Sequence, residues 1–95
     1  MSETHERTVE IVPEAGLHAR PAAKFVETAN EHDATVRIGE AGADDDNLID
    51  AGSMIAVTSL GVKQGERLRI VAEGEDSEEA LDALERVLST PEGES

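Results

Sequence analysis

Apolar and polar residues alternate along this chain in three places, and that alternation gives way to helical spacing in between. No other feature restricts the fold as much. Val9 and Ile11 alternate with Thr8 and Glu10, Ala34, Val36 and Ile38 with Thr35 and Arg37, and Leu68 and Ile70 with Arg67 and Arg69. Period-two patterning predicts three strands, each buried on one face. A fourth, weaker strand is expected at 48–51, after the polar loop GEAGADDDN at 39–47. Ala22, Phe25, Val26 and Ala29 share one face of a helix between His18 and His32. Ala80, Leu81, Leu84, Val87 and Leu88 do the same over 77–88, where Asp76 and Glu79 form a capping-box pattern. A shorter helix is expected over 53–59, with Ser53 as its N-cap and Gly61 just past its end. The order is therefore β-α-β-β-α-β-α. Strands with one polar face place the helices on the other, which predicts an α+β two-layer domain with an antiparallel sheet.

At 95 residues the chain fits one domain over 1–95, with its core at about 7–88 and a frayed acidic tail at 89–95. It has no internal repeat. It contains no cysteine, so no disulfide forms and a zinc or iron–sulfur site is not expected. Neither a signal peptide nor an apolar run long enough for a membrane helix is visible, so the expectation is a soluble cytoplasmic protein without a cofactor.

Charge narrows the partners. There are 22 acidic residues against 8 basic ones, a net charge of −14, and only Lys24 and Lys63 are lysines. Residues 73–95 alone hold nine acids and one base. Such a surface disfavours nucleic acid and anionic membranes, because little on it would displace phosphate counterions. An acidic, lysine-poor surface fits a salt-loaded cytoplasm, where a Debye length of about 3 Å at ~1 M salt screens self-repulsion.

The segment GLHARPA at 16–22 joins the first strand to the first long helix. Pro21 suits a helix's opening turn, and Gly16 permits a sharp backbone turn before it. His18 is then at or near the N-cap, with Ala19 and Arg20 as the first helical residues. Free amides and the positive end of the helix dipole make an anion site there, through the backbone N–H groups of Ala19 and Arg20. The same field disfavours a second positive charge and so favours the neutral imidazole, the form able to attack phosphorus. Arg20 adds a charge-assisted fork for phosphoryl oxygens. His18 is the residue expected to carry a phosphoryl group. His5, expected in a frayed N-terminus, and His32, at a polar helix end, are expected to be bystanders.

With GLHARPA at 16–22 and SMIAVTSLGV at 53–62, the chain resembles the HPr phosphocarriers of the phosphoenolpyruvate-dependent sugar phosphotransferase system. The resemblance runs over about 7–88. It implies an open-faced β-sandwich, with four antiparallel strands covered on one face by three helices. It also implies that His18 accepts a phosphoryl group on its δ1 nitrogen from enzyme I and passes it to a sugar-specific enzyme IIA, while Arg20 steadies the group. The partner surface implied is Ala19, Arg20, Ala23, Met54, Ile55 and Leu60, on a carrier that is a monomer and not an autonomous enzyme.

Departures matter beside the match. Several family members carry lysines where this chain has Glu27 and Ala56, so charge steering is weakened and docking leans on Met54 and Ile55. Ser53 matches a serine that a kinase phosphorylates in some HPr proteins, yet here Gly52 precedes it, where the family usually has a basic or polar residue. A plain helix cap is the simpler role for Ser53, with regulation through it the alternative function. The Asp44–Asp46 acids in a lengthened hairpin loop read as a solvated tip rather than a calcium site, and no metal is expected. An acyl-carrier-like protein, also small and acidic, fits less well, since such carriers are all-helical and lack the three alternating strands.

Overall fold

The computed structural model describes residues 3–14, 16 and 19–89. Its strands are β1 (Thr4–Glu10), β2 (Thr35–Glu40), β3 (Ile49–Asp50) and β4 (Arg67–Glu73), and its helices are α1 (Ala19–Asn30), α2 (Met54–Ser59) and α3 (Ser77–Ser89). One sheet holds all four strands in the order β1-β4-β2-β3, every pair antiparallel. This is the expected open-faced β-sandwich. Leu68, Ile70 and Ala72 of β4 and Val36 and Ile38 of β2 join the buried cluster beneath the helices. Their alternating neighbours Arg67, Arg69, Glu73, Thr35 and Arg37 line the open face. Val71 is the apolar exception there, 7% exposed and set between Glu6 of β1 and Arg37 of β2 in register.

Helix packing follows the periodicity. Ala22, Phe25 and Ala29 of α1 are buried, as are Ala80, Leu81, Leu84 and Leu88 of α3. Val26 and Val87, at the margins of those stripes, are half-buried against the same cluster. At about 25 cal/mol per Å² of apolar surface removed from water, a stripe of this kind outweighs weak local propensity in holding a short helix.

Four local expectations are corrected. The first strand begins at Thr4, not near Thr8, because β4 runs to Glu73 and offers a pairing partner as far as Thr4. His5 is thus inside β1 rather than in a frayed terminus. Its Nδ1 is 2.7 Å from the Oγ of buried Ser77, and its Nε2 3.4 Å from a Glu78 carboxylate oxygen. Second, Ile11 is buried but lies beyond the strand, where its amide donates to the Glu66 carbonyl at 2.9 Å. Third, β2 extends through Gly39 and Glu40, opposite Arg69 and Leu68, so the loop begins later than the glycine suggested. Within it, Asp45–Asn47 form one 3₁₀ turn. Fourth, the Asp76 carboxylate turns to another element, accepting from the amides of Asp33 at 3.0 Å and Ala34 at 2.8 Å. It thereby ties the start of α3 to the entry of β2. Ser89 closes α3, and the rest of the expected tail lies outside the described residues.

Two arginines tie strands to other elements. Arg7 donates from β1 to Asp82 and Glu85 of α3, both at 2.7 Å, and these bonds hold its guanidinium further above its ordinary pKa. Arg69 on the open face donates to both Glu6 oxygens, to Asp45 and to the Ala43 carbonyl. The Arg69 bond holds the Glu6 carboxyl below its usual value, against an opposing contribution from burial.

Candidate functional site

His18 itself lies outside the described residues, and the site is built from what surrounds that position in the chain. α1 opens at Ala19, and Pro21 sits buried in its first turn, where amide donors have no intrahelical acceptors. The backbone N–H groups of Ala19 and Arg20 therefore belong to the free donors of a helix start. Arg20 is exposed. Before the helix, Gly16 adopts φ +70° and donates its amide to the Pro13 carbonyl at 2.9 Å. A Cβ at Gly16 would stand 2.6 Å from the Val62 carbonyl oxygen and 2.9 Å from the Lys63 Cα. Glycine is required there twice over, for its left-handed backbone and for close approach.

The second half of the site is α2. Ser53, extended at φ −110°, accepts the Ala56 amide on its Oγ at 3.3 Å, so the expected N-cap is present. Gly61 takes φ +64° just beyond the helix. Met54 is 38% exposed and Ile55 82%, the latter an unusually bare aliphatic side chain. Leu60 is half-buried and packs on the core, so it offers an edge rather than a face. Ala23 is exposed on α1, which packs directly on α2. Of the expected partner surface, Arg20, Ala23, Met54 and Ile55 are thus on the outside, Leu60 is partly so, and Ala19 begins α1.

Gly52 has a local explanation. The Asn30 side chain at the end of α1 donates to the Gly52 carbonyl at 3.3 Å, and a Cβ at Gly52 would lie 2.6 Å from its Oδ1. The Asp50 carboxylate accepts the Gly52 amide at 2.8 Å. A side chain at 52 would displace Asn30, which links the end of α1 to the turn that starts α2.

The distribution of acids along the chain carries a further signal. Residues 15–26 and 51–65 contain none of the 22 acids, yet they hold Arg20, Lys24 and Lys63. The fold brings these two stretches together through α1–α2 packing and the approach of Gly16 to Val62 and Lys63. Two acid-free stretches of chain, apolar and basic, therefore meet on an otherwise strongly acidic molecule, with the Asp50 and Glu66 carboxylates at their edges on the Gly52 and Lys63 amides. The acidic loop takes no part there: the Asp45 carboxylate is paired with Arg69 at 2.7 Å on the open face. Among the described residues no group of three or more His, Asp or Glu side chains is placed to hold a metal ion. No helix among them is long and apolar enough to cross a membrane.

Fold and site together define a class: a small open-faced β-sandwich whose candidate site gathers at the start of its first helix. The family profile described as "PTS HPr component phosphorylation site" matches residues 5–90. The chain is 66% identical to the phosphocarrier protein HPr of Haloferax volcanii, over 92% of this chain and 96% of that one. That match also supports the salt-adapted reading of the composition. It is 35% identical to a multiphosphoryl transfer protein of Haemophilus influenzae, over 93% of this chain but only 17% of that longer protein. Among solved structures, an HPr from Bacillus anthracis superposes with a TM-score of 0.81 at 35% identity, over 90% of this chain and 98% of the other. The chain belongs to the HPr phosphocarrier family.

Proposed function

We propose that this protein accepts a phosphoryl group from phosphorylated enzyme I on the δ1 nitrogen of His18 and passes it to an enzyme IIA during sugar uptake. The observation that supports this most is the conjunction at the start of α1. A helix start, whose first amides have no intrahelical acceptor, and an exposed Arg20 follow directly on His18, beside the exposed Met54 and Ile55 of α2. In the step itself the neutral imidazole nitrogen attacks phosphorus, a P–N bond forms, and the bond to the donor breaks. The charge that spreads over the three phosphoryl oxygens is met by the Arg20 guanidinium and the amides of Ala19 and Arg20. The same groups stabilise the carried state, so transfer stays reversible and the protein is a carrier rather than an autonomous enzyme. Met54, Ile55 and Leu60 supply the apolar docking contact, and a monomer in the cytoplasm serves both partners in turn.

The test is phosphorylation by phosphoenolpyruvate and the cognate enzyme I. Label should be lost in mild acid and kept in base, as for phosphohistidine. His18→Ala should take up none, while His5→Ala and His32→Ala are labelled normally. Label on either of those two histidines would overturn the assignment.

A further inference from the structure

The segment that leaves β1 and leads to His18 is gripped from two sides. The Val12 amide donates to the Leu88 carbonyl of α3 at 3.0 Å, and the Val12 carbonyl accepts the Gln64 side-chain amide at 3.0 Å. Around that second contact the loop 61–66 forms a fixed seat. The Gly65 amide donates to the Ile11 carbonyl at 2.9 Å, the Ile11 amide to the Glu66 carbonyl at 2.9 Å, and the Lys63 amide to the Glu66 carboxylate at 2.7 Å. Val62 and Lys63 then meet Gly16 so closely that no side chain fits between them. This loop continues directly from α2, the helix that carries Met54 and Ile55.

Among the described residues Gln64 is the one side chain in that seat with a hydrogen bond to the incoming segment, since the other links are made by backbone atoms or by Glu66 to its own loop. We infer that Gln64 is a positioning residue for phosphoryl transfer, holding the Val12 carbonyl in the segment that leads to His18 and so helping to aim it. The inference rests on the phosphocarrier reading. Gln64 is exposed, so water takes its place on the Val12 carbonyl when it is removed, and the fold loses little. What is lost is direction, and transfer depends steeply on how the attacking atom is aimed.

Two variants separate the roles. Gln64→Met keeps the length and removes the donor, and Gln64→Lys keeps a donor able to reach the same carbonyl. With the carrier as the varied substrate of enzyme I, measured at molar potassium chloride so that an added charge is screened, Gln64→Met should lower kcat by about three- to ten-fold. KM should stay unchanged, because Met54, Ile55 and Leu60 are untouched, and Gln64→Lys should restore most of kcat. All three proteins should melt within a few degrees of one another. A Gln64→Met variant that transfers as the wild type does, that raises KM instead, or that loses rate only in step with its melting temperature would overturn the proposal. If the wild type itself takes no phosphoryl group, the phosphocarrier reading fails first, and that outcome is distinct from the others.

Discussion

At the scale of the residue, Arg20 is the side chain whose proposed job is most nearly pure electrostatics. It is exposed and has no ion-pair partner among the described residues, in a chain where acids outnumber bases by 22 to 8. Leaving such a cation unpaired costs the fold nothing, and leaves it free for a phosphoryl oxygen. Arg20→Ala should therefore keep its melting temperature within a few degrees and still slow transfer from enzyme I. Removal of one oriented donor from a buried charge-stabilising site costs about 10²–10³-fold, and an exposed guanidinium should cost less than that. Arg20→Lys, which keeps the charge but not the fork, should fall between the two. Equal rates for all three at matched salt would show that the guanidinium is not used. Gly16 was legible from sequence as a sharp turn, but the reason for it was not: the contact that forbids a Cβ comes from Val62 and Lys63, far along the chain.

At the scale of the element, the sequence was clearest where burial repeats at a fixed period. The apolar stripes of α1 and α3 were readable because each helix packs one face on a single core. Strand limits were not, since they depend on how far a partner extends: β1 reaches Thr4 only because β4 reaches Glu73. The reach of Asp76 to Asp33 and Ala34 was hidden for the same reason, as a local capping pattern contains no record of a neighbour 42 residues away. The cap of α2 lay between these cases, local in sequence and present in the fold. α2 is only six residues long, so one bond from Ala56 to the Ser53 Oγ is a large part of what starts it. Ser53→Ala should cost about 1 kcal/mol by denaturant unfolding, and Ser53→Asp, itself a good cap, much less. Should Ser53→Ala leave stability unchanged, the hydroxyl is not acting as a cap and its role lies elsewhere.

Over the whole molecule the decisive quantity is where the charge lies. A net charge of −14 on 95 residues destabilises the compact state in dilute buffer, and the two arginine clusters at Arg7 and Arg69 offset only part of it. Exposed pairs of that kind contribute roughly 0–1 kcal/mol each and are screened by salt in their turn. Added salt should therefore raise stability, because the repulsion it screens outnumbers the attractions it weakens. The proposed docking face should respond differently. Its two stretches, 15–26 and 51–65, contain no acid, and its large exposed side chains include Ile55, 82% exposed, and Met54, 38%. Burying a side chain such as Ile55 against a partner is favourable by about 1.5–3 kcal/mol, and molar salt does not screen it. Arg20, Lys24 and Lys63 give a small steering contribution that fades within the first few tenths molar, where the Debye length falls below about 8 Å. Across a potassium chloride series from dilute buffer to molar concentration, the melting temperature should climb and then level. The second-order rate of transfer from enzyme I should dip early and then hold nearly constant, with the stability of each protein checked at every point. A carrier docked mainly by charge would keep losing rate as ionic strength rises. If this protein is most stable in dilute buffer and its transfer collapses by molar salt, then neither salt adaptation nor apolar docking describes it.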